Sequence, residues 1–258
     1  MTYQAALAQI KSSLVDNAGG YLRNTVHIPG ETCGKCRGTM MADGYPTCYP
    51  CAFSHGPGCA DLLGSIVYGV DGLQSGKLML GYKNATRSPV LLQRVSSLVA
   101  LAVRGHSGCA GALAGARVTR WATVPSLRHP DSPHPLRAIL SAMLPRHGEI
   151  EVAAAPAAAG KSDRERRTLN PGFYTLRTDV PAGAHVLVID DTWASGAHAQ
   201  SVAVALKQAG AARVSVLVVA RWLDCADERT KRVYNQHIKP RAYDPEICPW
   251  TGADCPPG

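Results

Sequence analysis

The stretch HVLVIDDTWASGAHAQS, residues 185–201, decides the fold of this 258-residue chain. Val186 to Ile189 is an unbroken aliphatic run, which is typical of a strand buried on both faces. Helical spacing follows from Ala197 to Ala209, Gly210 ends it, and Val214 to Ala220 forms a second aliphatic run. A strand, a helix and a strand in this order predict a βαβ unit and therefore a parallel sheet.

Two adjacent carboxylates, Asp190 and Asp191, follow the first of these strands. Open α/β sheets bind ligands at the carboxyl ends of their strands. The turn from Thr192 to His198 leads into a helix whose first N–H groups lack partners, and Gly196 lets the backbone approach an anion. The pattern favours a phosphate in the turn and ribose hydroxyls on the carboxylates. The alternative is an ordinary strand-to-helix turn in which one acid caps the helix.

This stretch resembles the phosphoribosyl pyrophosphate signature of type I phosphoribosyltransferases: an aliphatic run, two acids and a small-residue loop. The resemblance implies an α/β fold with a parallel-sheet, Rossmann-like core, in which Asp190 and Asp191 are catalytic residues that contact the ribose hydroxyls. It also implies that the 5-phosphate is bound by Thr192, Ala194, Ser195, Gly196, Ala197 and His198. Where the family has Thr-Thr-Gly-x-Thr, this chain has ASGAH, so an imidazole replaces one hydroxyl and predicts pH-dependent phosphate binding.

Two upstream segments are candidates for the diphosphate side of the same site. The segment containing Val124, Pro125, Ser126 and Arg128 resembles the Val-Pro turn that the family uses against diphosphate. The basic stretch from Lys161 to Arg167, which includes Arg166, is expected to close over the ligand as a mobile loop. The alternatives are a plain surface turn and a solvated run of charges.

Two short cysteine motifs stand near the N-terminus, in a Gly- and Pro-rich stretch that is poor in large aliphatic residues. Cys33 and Cys36 form the first, and Cys48 and Cys51 form the second. This spacing predicts a structural, tetrahedral Zn²⁺ site whose metal binding is coupled to folding. Unliganded thiols and a labile Fe–S site are the alternatives.

Five further cysteines lie outside these motifs, and one of them, Cys59, is close to the second motif. We considered a second metal site formed by Cys225, Cys248 and Cys255 with His237, and we interpreted Cys109 as a buried packing residue.

The order of the motifs resembles the ComF-like phosphoribosyltransferase domain proteins, which in bacteria are associated with DNA uptake. The resemblance includes the Tyr82-Lys83 pair and the segment from Arg167 to Asn170. It predicts a lead-in at 1–30, a small zinc-ribbon-like module at 31–60, a phosphoribosyltransferase-like domain at 61–223 and a basic tail at 224–258 that forms surface loops.

The net charge of +8 and the pI near 9.1 favour anionic partners. The longest apolar runs are far shorter than the roughly 20 residues of a membrane span, and the N-terminus lacks the pattern of a secretory signal. We therefore expect a cytoplasmic protein without a membrane span.

We expect a Mg²⁺-dependent phosphoribosyltransferase that binds phosphoribosyl pyrophosphate and transfers phosphoribose to a nucleobase or an amine. The alternative is a non-catalytic module that binds a phosphosugar or nucleotide and contacts single-stranded DNA or a protein through the zinc module and the basic tail. In that tail Tyr234 and Tyr243 lie among cations, an arrangement that permits base stacking. We also consider a homodimer of this chain.

Overall fold

A parallel sheet of four strands lies at the centre of this α/β protein, in the order β1-β6-β5-β2. A separate antiparallel pair is formed by β3 and β4. The structure is a computed structural model that describes residues 3–42, 44–53, 56, 58–83, 88–132 and 134–257. The strands are β1 (Leu62–Val70), β2 (Arg120–Thr123), β3 (Val152–Ala154), β4 (Tyr174–Leu176), β5 (His185–Trp193) and β6 (Arg213–Leu223).

Helices flank the sheet and fill the connections between its strands. The α-helices are α1 (Tyr3–Ala18), α2 (Tyr49–Phe53), α3 (Gln74–Gly81), α4 (Pro89–Ala100), α5 (Cys109–Ala114), α6 (Pro135–Ser141), α7 (Asp163–Arg166), α8 (Ala197–Gln208) and α9 (Glu228–Val233). A π-helical turn, Leu101–Gly105, continues α4, and another, Tyr234–Ile238, continues α9. Short 3-10 turns lie at Arg146–Gly148, Pro156–Ala158 and Pro171–Phe173. Within the described part of the chain, no helix has the length and apolar character required to cross a bilayer.

The βαβ unit predicted from residues 185–220 is confirmed as β5, α8 and β6, with β5 and β6 parallel. The helix begins at Ala197, as predicted. Strand β5 is longer than its aliphatic run, because its parallel pairing with β6 continues until Trp193 lies opposite Arg221. Asp190 and Asp191 therefore lie within β5, where the pairing with β6 fixes their backbone positions.

The C-terminal segment differs from the surface loops predicted for residues 224–258. It begins with α9, and Tyr243, Cys248 and Trp250 are all buried. The indole of Trp250 packs against Gly64 in β1, so closely that a Cβ at position 64 would lie 2.6 Å from the ring. The tail is thus part of the core, because its few large residues pack on the sheet.

Both edges of the parallel sheet are covered by other segments of the chain. Residues 23–25 and 249 lie along β1, and the segment after the Arg146–Gly148 turn lies along β2. The covering backbone hydrogen bonds are Tyr68 N–H to the Arg23 carbonyl (2.8 Å), Ser65 N–H to the Pro249 carbonyl (3.0 Å) and Ile150 N–H to the Trp121 carbonyl (2.7 Å).

Replacing Gly64 with alanine tests the docking of the tail on β1. The added methyl group must displace the Trp250 indole, and overpacking of this kind costs about 1–3 kcal/mol. We expect Gly64→Ala to lower the free energy of unfolding by that amount in urea denaturation. Gly20→Ala is the matched control, because a Cβ there meets no atom within 4 Å. Equal unfolding midpoints for the two variants would show that the tail is not packed on β1.

Candidate active site

A polar cleft opens at the carboxyl ends of β2 and β5. It brings together three segments that are far apart in sequence: the acid pair, the Val-Pro turn and the basic stretch around α7. The lining residues are Lys83, Val124, Pro125, Ser126, Leu127, Arg128, His134, Asp163, Arg166, Arg167, Asp190, Asp191, Thr192 and His198. This is the location at which parallel α/β sheets bind ligands.

Asp191 lies at the centre of a group of donors in this cleft. The Tyr82 hydroxyl donates a hydrogen bond to its Oδ2 at 3.0 Å, and Lys83 Nζ lies 2.5 Å from the same oxygen. Nε2 of His134 is 3.6 Å away. Burial alone would raise the pKa of Asp191, but the charge of Lys83 and the surrounding donors hold it below its usual value. Asp191 is therefore ionised at neutral pH.

The pKa of the adjacent Asp190 is shifted in the opposite direction to that of Asp191. Its side chain is buried, and its Oδ1 accepts a hydrogen bond from the Asp191 N–H at 2.8 Å. Burial, and next the adjacent charge of Asp191, raises the pKa of Asp190 to about 8. Two neighbouring carboxyl groups with separated pKa values therefore share one negative charge at pH 7, and the site contains a proton that can be released.

The turn predicted to bind phosphate lies beside this pair. Thr192 and His198 line the cleft, whereas residues 194–197 form the turn that joins them. Gly196 has φ = 83°, and a Cβ there would lie 2.1 Å from the Trp193 ring, so the turn requires glycine for two reasons. The N–H groups of Ser195 and Gly196 donate to no acceptor in the described part of the structure.

His198 is held in the neutral form. Its Nδ1 lies 2.8 Å from the Tyr174 hydroxyl. Burial, and then the charges of Arg167 and Arg166, lowers the pKa of His198. The pH dependence expected from this imidazole therefore lies below its ordinary titration range, because the neighbouring cations oppose its protonation.

The basic side of the cleft is partly ion-paired. Val124 is buried and anchors the turn, and Arg128 forms an ion pair with Asp163, which also pairs with Arg166 at 2.7 Å. Arg167 is exposed and forms no ion pair with a described residue. Because Asp190 is protonated at neutral pH, the four cations of the cleft exceed its ionised acids, and the cleft favours an anion.

The side chains of Cys33, Cys36, Cys48 and Cys51 converge and could bind a metal ion such as zinc. Their sulfur atoms all lie within 4.8 Å of one another, and all four residues are buried. Hydrogen bonding from the other three thiols, Cys36 first, lowers the pKa of Cys33. This four-cysteine cluster is the donor set of closed, structural zinc sites.

A buried cation next to the four-cysteine cluster fits a bound metal. The charges of Cys36, Cys48 and Cys51 outweigh burial and raise the pKa of Arg221, whose guanidinium is buried. Its Nε lacks a hydrogen-bond partner among the described residues. Four thiolates around a divalent metal carry a net negative charge, which would balance this cation.

The tail does not offer the surface expected for base stacking. Tyr234 and Tyr243 are 9% and 6% exposed, so their rings are buried in the protein. The nearby cations Arg229 and Arg232 pair with Glu31. The two tyrosine rings and these two arginines are thus used within the fold, whereas Lys239 and Arg241 are exposed.

Three residues that approach Asp191 were not among our candidate site residues. Tyr82 and Lys83 were noticed only as part of a motif order, and the structure places both on Asp191. His134 lies in a proline-rich segment without periodicity, where it caps α6 by accepting a hydrogen bond from the Leu136 N–H. The sequence did offer one signal for this cap: His134 directly precedes Pro135, at the start of a helical pattern.

The raised pKa of Asp190 predicts how stability changes with pH. Because the folded state binds this proton more tightly than the unfolded chain, the stabilisation is complete at low pH and is lost as pH rises towards 8. Relative to Asp190→Asn, wild type should lose on the order of 1 kcal/mol of unfolding free energy per pH unit above pH 5, and less as the pH approaches 8. Urea unfolding of both proteins across this pH range measures the loss. Parallel curves of unfolding free energy against pH for the two proteins would contradict the prediction.

Comparison of the sequence with protein-family models and with curated proteins gave no match.

Proposed function

We propose that this protein binds phosphoribosyl pyrophosphate in the cleft and transfers its phosphoribosyl group to an acceptor, as a phosphoribosyltransferase of the ComF-like type. The observation that carries the proposal is the conjunction, in one cleft, of a buried acid pair, a glycine turn at a helix N-terminus and unpaired positive charge. A ribose with phosphates on both sides requires these three groups together.

The acid pair suits the two vicinal hydroxyls of ribose. Asp190 and Asp191 lie side by side on the last residues of β5, and their oxygens can accept hydrogen bonds from adjacent hydroxyls. Tyr82 and Lys83 fix the orientation of Asp191 before a ligand arrives. Such preorganisation lowers the entropic cost of binding.

The phosphates would lie on either side of the ribose. The free N–H groups of Ser195 and Gly196, at the start of α8, suit the 5-phosphate, because a helix N-terminus favours anions. Arg167 and the Val124-Pro125 turn suit the diphosphate. The backbone donors replace the hydroxyl groups that this loop lacks.

In the proposed reaction an acceptor nitrogen attacks C1 of the ribose as the bond from C1 to the diphosphate oxygen breaks. The protein's residues position the ring and neutralise the leaving group. Mg²⁺, when bound with the substrate, would supply further charge neutralisation on the diphosphate, and the oxygens of Asp190 and Asp191 are of the hard type that it prefers.

The acceptor, a nucleobase or an amine, would enter from an adjoining cleft. That cleft shares Pro125, Ser126 and His134 with the site and continues past Arg137 and Glu149. The ion pair between Arg137 and Glu149 offers a donor and an acceptor for a polar heterocycle.

The four-cysteine cluster has a structural role in this proposal, with zinc as its metal. Its four ligands leave no open coordination position for chemistry. All nine cysteines are free thiols in the structure, which suits a reducing compartment such as the cytoplasm.

Substitution of the acid pair tests the ribose side. Asp190→Asn combined with Asp191→Asn keeps the shape and removes the carboxylate acceptors. A charge-assisted hydrogen bond contributes about 1.5–3 kcal/mol, so we expect at least a 10-fold loss of affinity for phosphoribosyl pyrophosphate with Mg²⁺ in calorimetry.

Asp179→Asn is the control, because it changes an exposed residue outside the cleft. This variant should bind phosphoribosyl pyrophosphate like wild type. A diphosphate-release assay across nucleobases and amines then separates turnover from binding alone. Unchanged affinity in the double variant would refute the proposed site, whereas binding without release would identify a non-catalytic phosphosugar-binding module.

Two neighbouring arginines test the cationic side. Arg167 lines the cleft and forms no ion pair with any described residue, whereas Arg164, three residues earlier, is exposed and does not line the cleft. We expect Arg167→Ala to weaken phosphoribosyl pyrophosphate binding about 10-fold, since a charged contact to phosphate is lost. Arg164→Ala should leave the affinity unchanged. Equal effects of the two substitutions in calorimetry would mean that only the overall charge matters.

A further inference from the structure

A second group of metal-binding side chains lies away from the cleft. It consists of His106, Cys109, Cys248 and Cys255, and we call it the CHCC cluster. The first two residues follow the π-helical turn that ends the helix of residues 89–105, and the last two belong to the tail. Our sequence-based candidate paired Cys248 and Cys255 with Cys225 and His237, but the structure joins them to residues 106 and 109.

The distances within the CHCC cluster are close to those of a bound metal. One ligand atom from each residue lies within 4.8 Å of every other, and Nδ1 of His106 is 3.2 Å from Sγ of Cys255. A tetrahedral zinc with Zn–S of about 2.3 Å and Zn–N of about 2.0 Å separates these ligand atoms by roughly 3.5–3.8 Å. Small side-chain movements would therefore complete the site.

Backbone turns hold each pair of ligands in place without a metal. The Cys109 N–H donates to the His106 carbonyl at 3.2 Å, which places the two side chains on one turn. In the tail, the Gly252 N–H donates to the Cys248 carbonyl, and the Cys248 N–H donates to the Ala253 carbonyl, both at 2.8 Å. The ligand positions are thus set by local hydrogen bonds on both sides.

The histidine has the surroundings of a metal ligand. Its Nε2 lies 3.4 Å from the Pro245 carbonyl, while Nδ1 faces Cys255. Metal-bound histidines commonly direct their second ring nitrogen to a carbonyl, which fixes the tautomer and leaves the other nitrogen free to coordinate. His106, Cys109 and Cys248 are buried, and Cys255 is exposed, so the site has one ligand on its solvent side.

We propose that the CHCC cluster binds a second structural zinc ion, separate from the metal of the four-cysteine cluster. Three thiolates and one imidazole form a closed donor set with no position for a substrate. The ion would tie the tail to the α4–α5 connection, about 140 residues away in sequence, and would hold Trp250 on β1.

A disulfide is the competing interpretation of the same cysteines. It would join two of the three sulfurs and leave the third sulfur and the imidazole without a common partner. A single zinc accounts for the convergence of all four side chains, and none of the three cysteines forms a disulfide in the structure. We therefore favour the metal.

Zinc counting on the full-length chain tests the proposal. We expect native mass spectrometry of protein purified with Zn²⁺ to show two zinc ions per chain. Cys109→Ser combined with Cys255→Ser should retain one, and Cys33→Ser combined with Cys36→Ser should also retain one. Cys225→Ser, outside both clusters, is the control and should retain two. A wild-type chain with a single zinc ion would overturn the second site.

A labelling experiment on wild type avoids the risk that a variant fails to fold. Without reductant and with zinc present, Cys109, Cys248 and Cys255 should resist maleimide while Cys225 reacts, and a chelator should release all three. Protection that only a reductant removes would establish a disulfide and reject the metal. Labelling at the rate of Cys225 with zinc present would likewise reject it.

Discussion

The buried guanidinium of Arg221 is the charge around which the structure is organised. It lies at the end of β6, donates a hydrogen bond to the Trp193 carbonyl at 2.9 Å and packs against Gly38 in the four-cysteine segment. An arginine cannot discharge by losing its proton, so a buried one needs negative charge nearby. Across the described residues it forms no ion pair with a carboxylate, and the neighbouring cysteines of the cluster, Cys36 first, raise its pKa against the effect of burial.

This interaction makes the four-cysteine segment part of the main fold. The four cysteines belong to the same apolar cluster as the buried face of β5 and β6. Arg221, beside these cysteines, donates a hydrogen bond to the Trp193 carbonyl, and the Trp193 ring in turn fills the space beneath Gly196. The cysteine cluster is therefore connected, through the Arg221 guanidinium and the Trp193 backbone and ring, to the turn that we propose binds phosphate.

Local sequence patterns predicted the centre of the molecule well. The aliphatic runs, the glycine after them and the adjacent acids identified the βαβ unit and the edge of the sheet at which the cleft opens, because these features depend on neighbours in sequence. The approach of Tyr82 and His134 to Asp191 was not predictable in this way, since it depends on how α3 and α6 pack across the end of the sheet. The tail was misjudged for the same reason: its single Trp250 is buried by a distant strand rather than by local periodicity.

The covered edges of the parallel sheet determine how copies of this chain can meet. Open edge strands are templates for pairing with another chain, and here both are already hydrogen-bonded to segments of the same molecule, at residues 23–25 and 249 on one side and at Ile150 on the other. A continuous sheet across two subunits would require those segments to be displaced first. Self-association through the edges of the parallel sheet is therefore blocked while these segments stay in place, and the same coverage protects this sheet from edge-to-edge aggregation.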